Sequence, residues 1–169
     1  MYLLRVGRQH RWSFERDATD SEDVTEASRD LKLDRDEQGL SVYRVEGEGE
    51  TLEVAVRWAL ICRTKPQPMD SVVFPSELAS DLGLTVSYRP RENLDPFLNA
   101  RHYEIMGLTP ELSERLAAAI LGYAGRRVQR IQEKDLQKLG AELCRRDPEL
   151  KNYLKGRWAT MLGEPAPEG

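Results

Sequence analysis

From Leu40 to Arg89 the chain changes its hydrophobic period four times, and this alternation narrows the architecture more than any single motif does. Leu40, Val42 and Val45 in LSVYRV follow strand periodicity, whereas Leu52, Val56, Ala59 and Leu60 in TLEVAVRWALIC share one helical face. Pro66 and Pro68 forbid further helix. SVVF is then a short apolar strand, SELASDLG a short helix from Ser76 to a left-handed stop at Gly83, and LTVSYR a further strand. The alternation predicts a layered α/β fold with at least one parallel crossover.

The flanking segments extend this reading. Tyr2, Leu4 and Val6 alternate, as do Trp12 and Phe14, and Gly7 between them predicts a hairpin. DATDSEDVTEASRDLKL has Asp20 or Ser21 as N-cap and Val24, Ala27 and Leu31 at helical spacing. From Leu94 the pattern becomes helical. Thr109 and Pro110 open a helix carrying Leu112, Leu116 and Ile120, Asp135 caps a second, and Asp147 with Pro148 opens a third that turns Leu150, Leu154 and Trp158 to one side. The expectation is an α/β protein: a small mixed β-sheet with flanking helices in residues 1–93, a helical segment 94–162 packed on it as one compact unit, and a tail at 163–169.

At 169 residues the chain can bury one good core, and its 40% hydrophobic and 32% charged content suits a globular domain. No apolar run approaches the roughly 20 residues of a membrane span, and the N-terminal run lacks a signal-peptide cleavage pattern. Cys62 and Cys144 belong to no CxxC or Cys/His cluster and read as reduced thiols. These features predict a cytoplasmic protein without a membrane partner.

Motifs with chemical content are few. Gly47 and Gly49 follow a strand and precede a helix, the order of a phosphate loop, but the third glycine of GxGxxG is replaced by Leu52. Glu46, Glu48 and Glu50 would set three carboxylates where a pyrophosphate must approach. Helix-dipole attraction to an anion, about 0.3–1 kcal/mol, cannot offset that repulsion. No cofactor is therefore expected, and the acids are assigned to starting the helix. DRDEQG offers Asp34 and Asp36 as metal-ligand candidates, yet Val45 stands where a calcium loop closes with glutamate. His102 and Glu104 in RHYEIMG are the candidates for acid and base chemistry, His102 being one of only two histidines.

The net charge of −4 conceals an acidic front and a basic back. Arg126, Arg127, Arg130 and Lys134 are accordingly the candidate partner-binding residues. The functional expectation is a non-catalytic interaction or regulatory module whose partner is another protein. A nucleic-acid-binding accessory protein using basic C-terminal helices is the first alternative, although a pI near 5.4 opposes non-specific phosphate affinity. A hydrolase-like enzyme centred on His102 is the second, and a deep cleft holding His102 and a carboxylate is what would distinguish it.

Overall fold

A computed structural model describes residues 1–9, 11–13, 21–32 and 39–162. The elements in chain order are β1 (Tyr2–Arg8), α1 (Ser21–Asp30), β2 (Gly39–Val45), α2 (Glu48–Cys62), β3 (Met69–Pro75), α3 (Glu77–Ser80), β4 (Thr85–Tyr88), α4 (Pro96–Asn99), β5 (His102–Met106), α5 (Pro110–Gly122), β6 (Arg127–Ile131), α6 (Glu133–Arg146), a 3-10 helix (Pro148–Tyr153) and α7 (Arg157–Leu162). The α/β class read from the alternation is the one the chain adopts.

The strands form one sheet in the order β4-β5-β2-β1-β3-β6, antiparallel at every pairing. β2 and β3 both run against β1 and therefore parallel to one another, with α2 joining them across it. The expected parallel crossover exists, but with a third strand inserted. β1 thus occupies the middle of the sheet and must be apolar on both faces, which explains its adjacent Leu3 and Leu4. Leu4, Val6, Tyr43, Val73 and Ile131 lie under α2, α4, α6 and Trp158 of α7. On the opposite face Leu3, Val42, Val72, Phe74 and Ile105 lie under α1, α3 and α5. The result is a three-layer sandwich.

Several local expectations differ from what forms. Among the described residues no hairpin joins 2–6 to 12–13, because β1 pairs with β2 and β3 and Trp12 instead buries itself beside α1. Its Nε1–H donates to Asp30 Oδ2 at 3.0 Å. Phe14 lies outside the described residues. The segment 94–162 is not wholly helical, since β5 and β6 fall within it and pair with β2 and β3. The single helix expected from Asp147 is divided into the 3-10 helix and α7, with Gly156 between them at φ 54°. Asp135 lies in the first turn of α6, with Gln132 at the N-cap.

The EGEGE stretch is the start of α2 itself. Gly47 is the N-cap, and Glu50 reaches back to accept the Glu46 N–H at 2.5 Å. This satisfies a donor in the manner of a capping box, so the acids serve the helix as expected.

Candidate functional site

Pairing between β1 and β2 lasts only from Tyr2↔Val45 to Leu4↔Tyr43. Beyond it β1 continues along β3 to Arg8↔Met69, and β2 continues along β5 to Gly39↔Met106. The two central strands therefore separate, and the sheet opens between them at one end. Arg5 spans the opening: Nη1 donates to the Ser41 carbonyl at 3.0 Å, while Nε and Nη2 donate to the Asp30 carbonyl at 3.2 and 2.8 Å. Its guanidinium replaces the strand pairing that the split gives up. Gly7 is required here, because a side chain at that position would overlap the Asp30 carboxylate.

Around the split lies a cleft of about 680 Å³, lined from both helical layers. Small-molecule sites commonly measure about 300–1,000 Å³. Eight lining residues are Lys or Arg, whereas Asp30 is the only lining carboxylate among the described residues. Arg11 and Arg29 share Glu26, and Arg91 is held by Glu104 at 2.7 Å, so part of this charge is neutralised from behind. Arg8, Lys32 and Lys155 have no carboxylate within salt-bridge distance among the described residues.

Arg63 forms one wall, just past the end of α2. It donates through Nη2 to the Gly7 carbonyl at 2.8 Å and lies 4.9 Å above the Trp58 ring. Burial, reinforced by the nearby Arg8, lowers its pKa, while Asp30 opposes the shift. A positive charge in that position gains from an incoming anion.

The floor is polar, formed in part by Ser41, Tyr43 and His102. His102 is fully buried on β5; its Nδ1 meets the Arg89 carbonyl, and its Nε2 lies 3.1 Å from Ser41 Oγ. A carbonyl can only accept, so Nδ1 bears the proton; in the neutral imidazole Nε2 then presents its lone pair and the serine hydroxyl donates. The Tyr43 ring stands edge-on to the imidazole, 5.4 Å away. Cys62 reaches the cleft surface, yet burial of its surroundings pushes the thiol up to about 11, only partly offset by Lys155, Arg91 and the Tyr43 hydroxyl. Such a thiol is a poor nucleophile at neutral pH. Burial and the nearby thiol likewise raise the Tyr43 phenol.

The structure thus brings His102 to a cleft that contains a carboxylate, Asp30. Glu104 stands opposite Ser41 on the neighbouring strand and pairs with Arg91. Arg126, Arg127 and Arg130 lie elsewhere, in the turn before β6 and on that edge strand, not on a helix. Arg126 donates to the Leu121 carbonyl, Arg127 pairs with Glu48 at 3.5 Å, and Arg130 grips Asp70. Lys134 is exposed in the first turn of α6. Asp34 and Asp36 lie outside the described residues, and no group of three metal-binding side chains converges among those described.

The cationic cleft itself is not apparent from the sequence. Arg5, Arg8 and Arg11 stand at three-residue spacing in a stretch of fourteen residues without an acid, which was the available signal. Arg29 and Lys32 are hidden within the acidic front, and Arg63, Arg91 and Lys155 are far apart in the chain. Comparison with protein-family models, characterised proteins and solved structures yields no match.

Proposed function

We propose that this chain is a binding module whose partner is a small polyanion bearing phosphate groups, taken into the cleft between β1 and β2. One observation carries the reading: a protein of net charge −4 gathers eight cations around a single opening. Like charges held together repel one another and cost stability, and an anionic ligand offsets that repulsion. Guanidinium groups suit the planar, bidentate recognition of phosphate oxygens, and the polar floor disfavours an apolar ligand. The EGEGE turn plays no part in this.

A regulatory role is part of this proposal, with a small anion in place of the protein partner expected from the sequence. A protein partner at Arg126, Arg127, Arg130 and Lys134 has weaker support, because all three arginines are engaged within the molecule.

Pyrophosphate is the simplest probe. At about 100 times its dissociation constant a ligand stabilises by about 2.7 kcal/mol, a clear rise in melting temperature. Arg8→Ala and Lys155→Ala should each weaken binding and its salt dependence while leaving the unliganded protein as stable as the parent, or more so. Failure of pyrophosphate, ATP and an inositol polyphosphate to raise the melting temperature at low salt would refute the assignment.

A further inference from the structure

We infer that Ser41 and His102 form a nucleophile–base pair, and that the cleft hydrolyses a carboxylic ester of an anionic molecule. The anionic character of the substrate rests on the binding role proposed above; the dyad rests on geometry of its own. Ser41 stands opposite Glu104, and Tyr43 opposite His102, so Ser41 and His102 are diagonal neighbours on one face of β2 and β5. This places Oγ 3.1 Å from Nε2. The Arg89 carbonyl fixes the imidazole tautomer from the other side, so three groups stand in the order nucleophile, base and orienting acceptor.

Accessibility follows the same order. His102 is fully buried, whereas Ser41 is partly exposed and both line the cleft. A substrate entering the cleft meets the hydroxyl, with the imidazole shielded behind it. The surrounding cations suit the negative charge that develops on a carbonyl oxygen under attack.

The chemistry balances without any further reactant than water. Ser41 Oγ bonds to the acyl carbon as its proton passes to His102 Nε2, and the bond to the ester oxygen breaks as that oxygen takes the proton from Nε2. The alcohol departs and leaves Ser41 acylated. The serine then no longer donates to Nε2, which can accept a proton from a water entering through the cleft. That water attacks the acyl carbon, the Oγ–carbon bond breaks, Ser41 regains its proton, and the carboxylic acid is released.

A fluorophosphonate probe with the full-length protein tests this directly, since an activated serine displaces fluoride and retains the phosphonyl group. Peptide mass spectrometry should locate the adduct on Ser41, with no label at that peptide in Ser41→Ala. Saturating pyrophosphate should slow labelling at least tenfold. His102→Gln should slow it at least a hundredfold while pyrophosphate still raises the melting temperature. Hydrolysis of 4-nitrophenyl hydrogen succinate should exceed that of 4-nitrophenyl acetate. An unlabelled Ser41 in a wild-type protein that still binds pyrophosphate overturns the dyad and leaves the anion site standing. Labelling of Ser41 that pyrophosphate does not slow, with no preference for the succinate ester, upholds the dyad and overturns the anionic substrate.

Discussion

Asp70 is fully buried, and Arg130 holds both of its oxygens, through Nε at 2.7 Å and Nη2 at 2.9 Å. Removing the cation leaves a buried carboxylate without its main counter-charge near the start of β3. Arg130→Ala should therefore cost about 2–4 kcal/mol, measured by urea unfolding, and Arg130→Glu should cost more. Arg127→Glu meets only the exposed Glu48 and should change stability by about 1 kcal/mol or less. Two arginines three positions apart thus have different purposes, a distinction that charge counting along the chain does not reveal. Cys62 shows a similar limit. Its thiol, raised to about 11 from 9.0, should react with iodoacetamide at pH 8 about a hundredfold more slowly than an unperturbed cysteine, because the reactive thiolate is scarcer by that factor. Its rate should climb as pH rises toward 11; rapid reaction at pH 8 would show that the thiol is not held neutral. His102 could be singled out from sequence because histidine is rare here. Its partner Ser41 could not, since 61 residues separate them and only the strand register makes them neighbours.

Local signatures succeeded at some helix starts and failed at others, Asp135 and Asp147 among the failures. Thr109 caps α5 by accepting the Leu112 N–H, Pro110 begins that helix, and Asp95 caps α4 in the same way through the Leu98 N–H. What local signals missed was decided by distant pairing. β5 and β6 were obscured because HYEIM and RVQRI are short and carry polar residues at alternate positions, and their strand character depends on β2 and β3 lying alongside. Gly156 shows the reverse case, a single residue that breaks an apparently continuous helix: its backbone is left-handed, and an added side chain would collide with the Thr64 carbonyl. Trp158, beyond that break, is fully buried against the α2 side of the sheet, so Trp158→Ala should cost about 3–5 kcal/mol and Leu154→Ala, less completely enclosed, about 2. A wild-type melting temperature in Trp158→Ala would show that α7 does not anchor this layer, and one in Leu154→Ala would show the same of the end of the 3-10 helix. At the start of α2, Glu50 is partly desolvated, yet the Glu46 N–H and the Arg101 guanidinium hold its pKa below the ordinary value. A depressed folded pKa means that this stabilisation is present above the unfolded carboxylate value, about pH 4.3, and is lost as pH falls through the folded one. The melting-temperature gap between the parent and Glu50→Gln should therefore be widest at neutral pH and close in acid; a gap unchanged at pH 3 would deny Glu50 this role.

For the molecule as a whole, the sheet unites the α/β front and the largely helical back. A fragment of residues 1–93 would lack β5, β6, α5 and α6, leaving β2 and β3 as open edges and both apolar faces partly bare. Such a fragment should show little cooperative unfolding by circular dichroism and should associate through its edges, whereas an independently folded front would unfold cooperatively. The central position of β1 has a further consequence for synthesis. β1 is synthesised before either of its partners, and β3, its longer neighbour, is complete only at Pro75. At about 5–20 residues per second the interval lasts several seconds. During that time an apolar ribbon with two open edges must be kept from pairing with its neighbours on the same messenger, so the step at which this chain is most exposed to misassembly comes while β3 is still unmade, long before the cleft it will border exists.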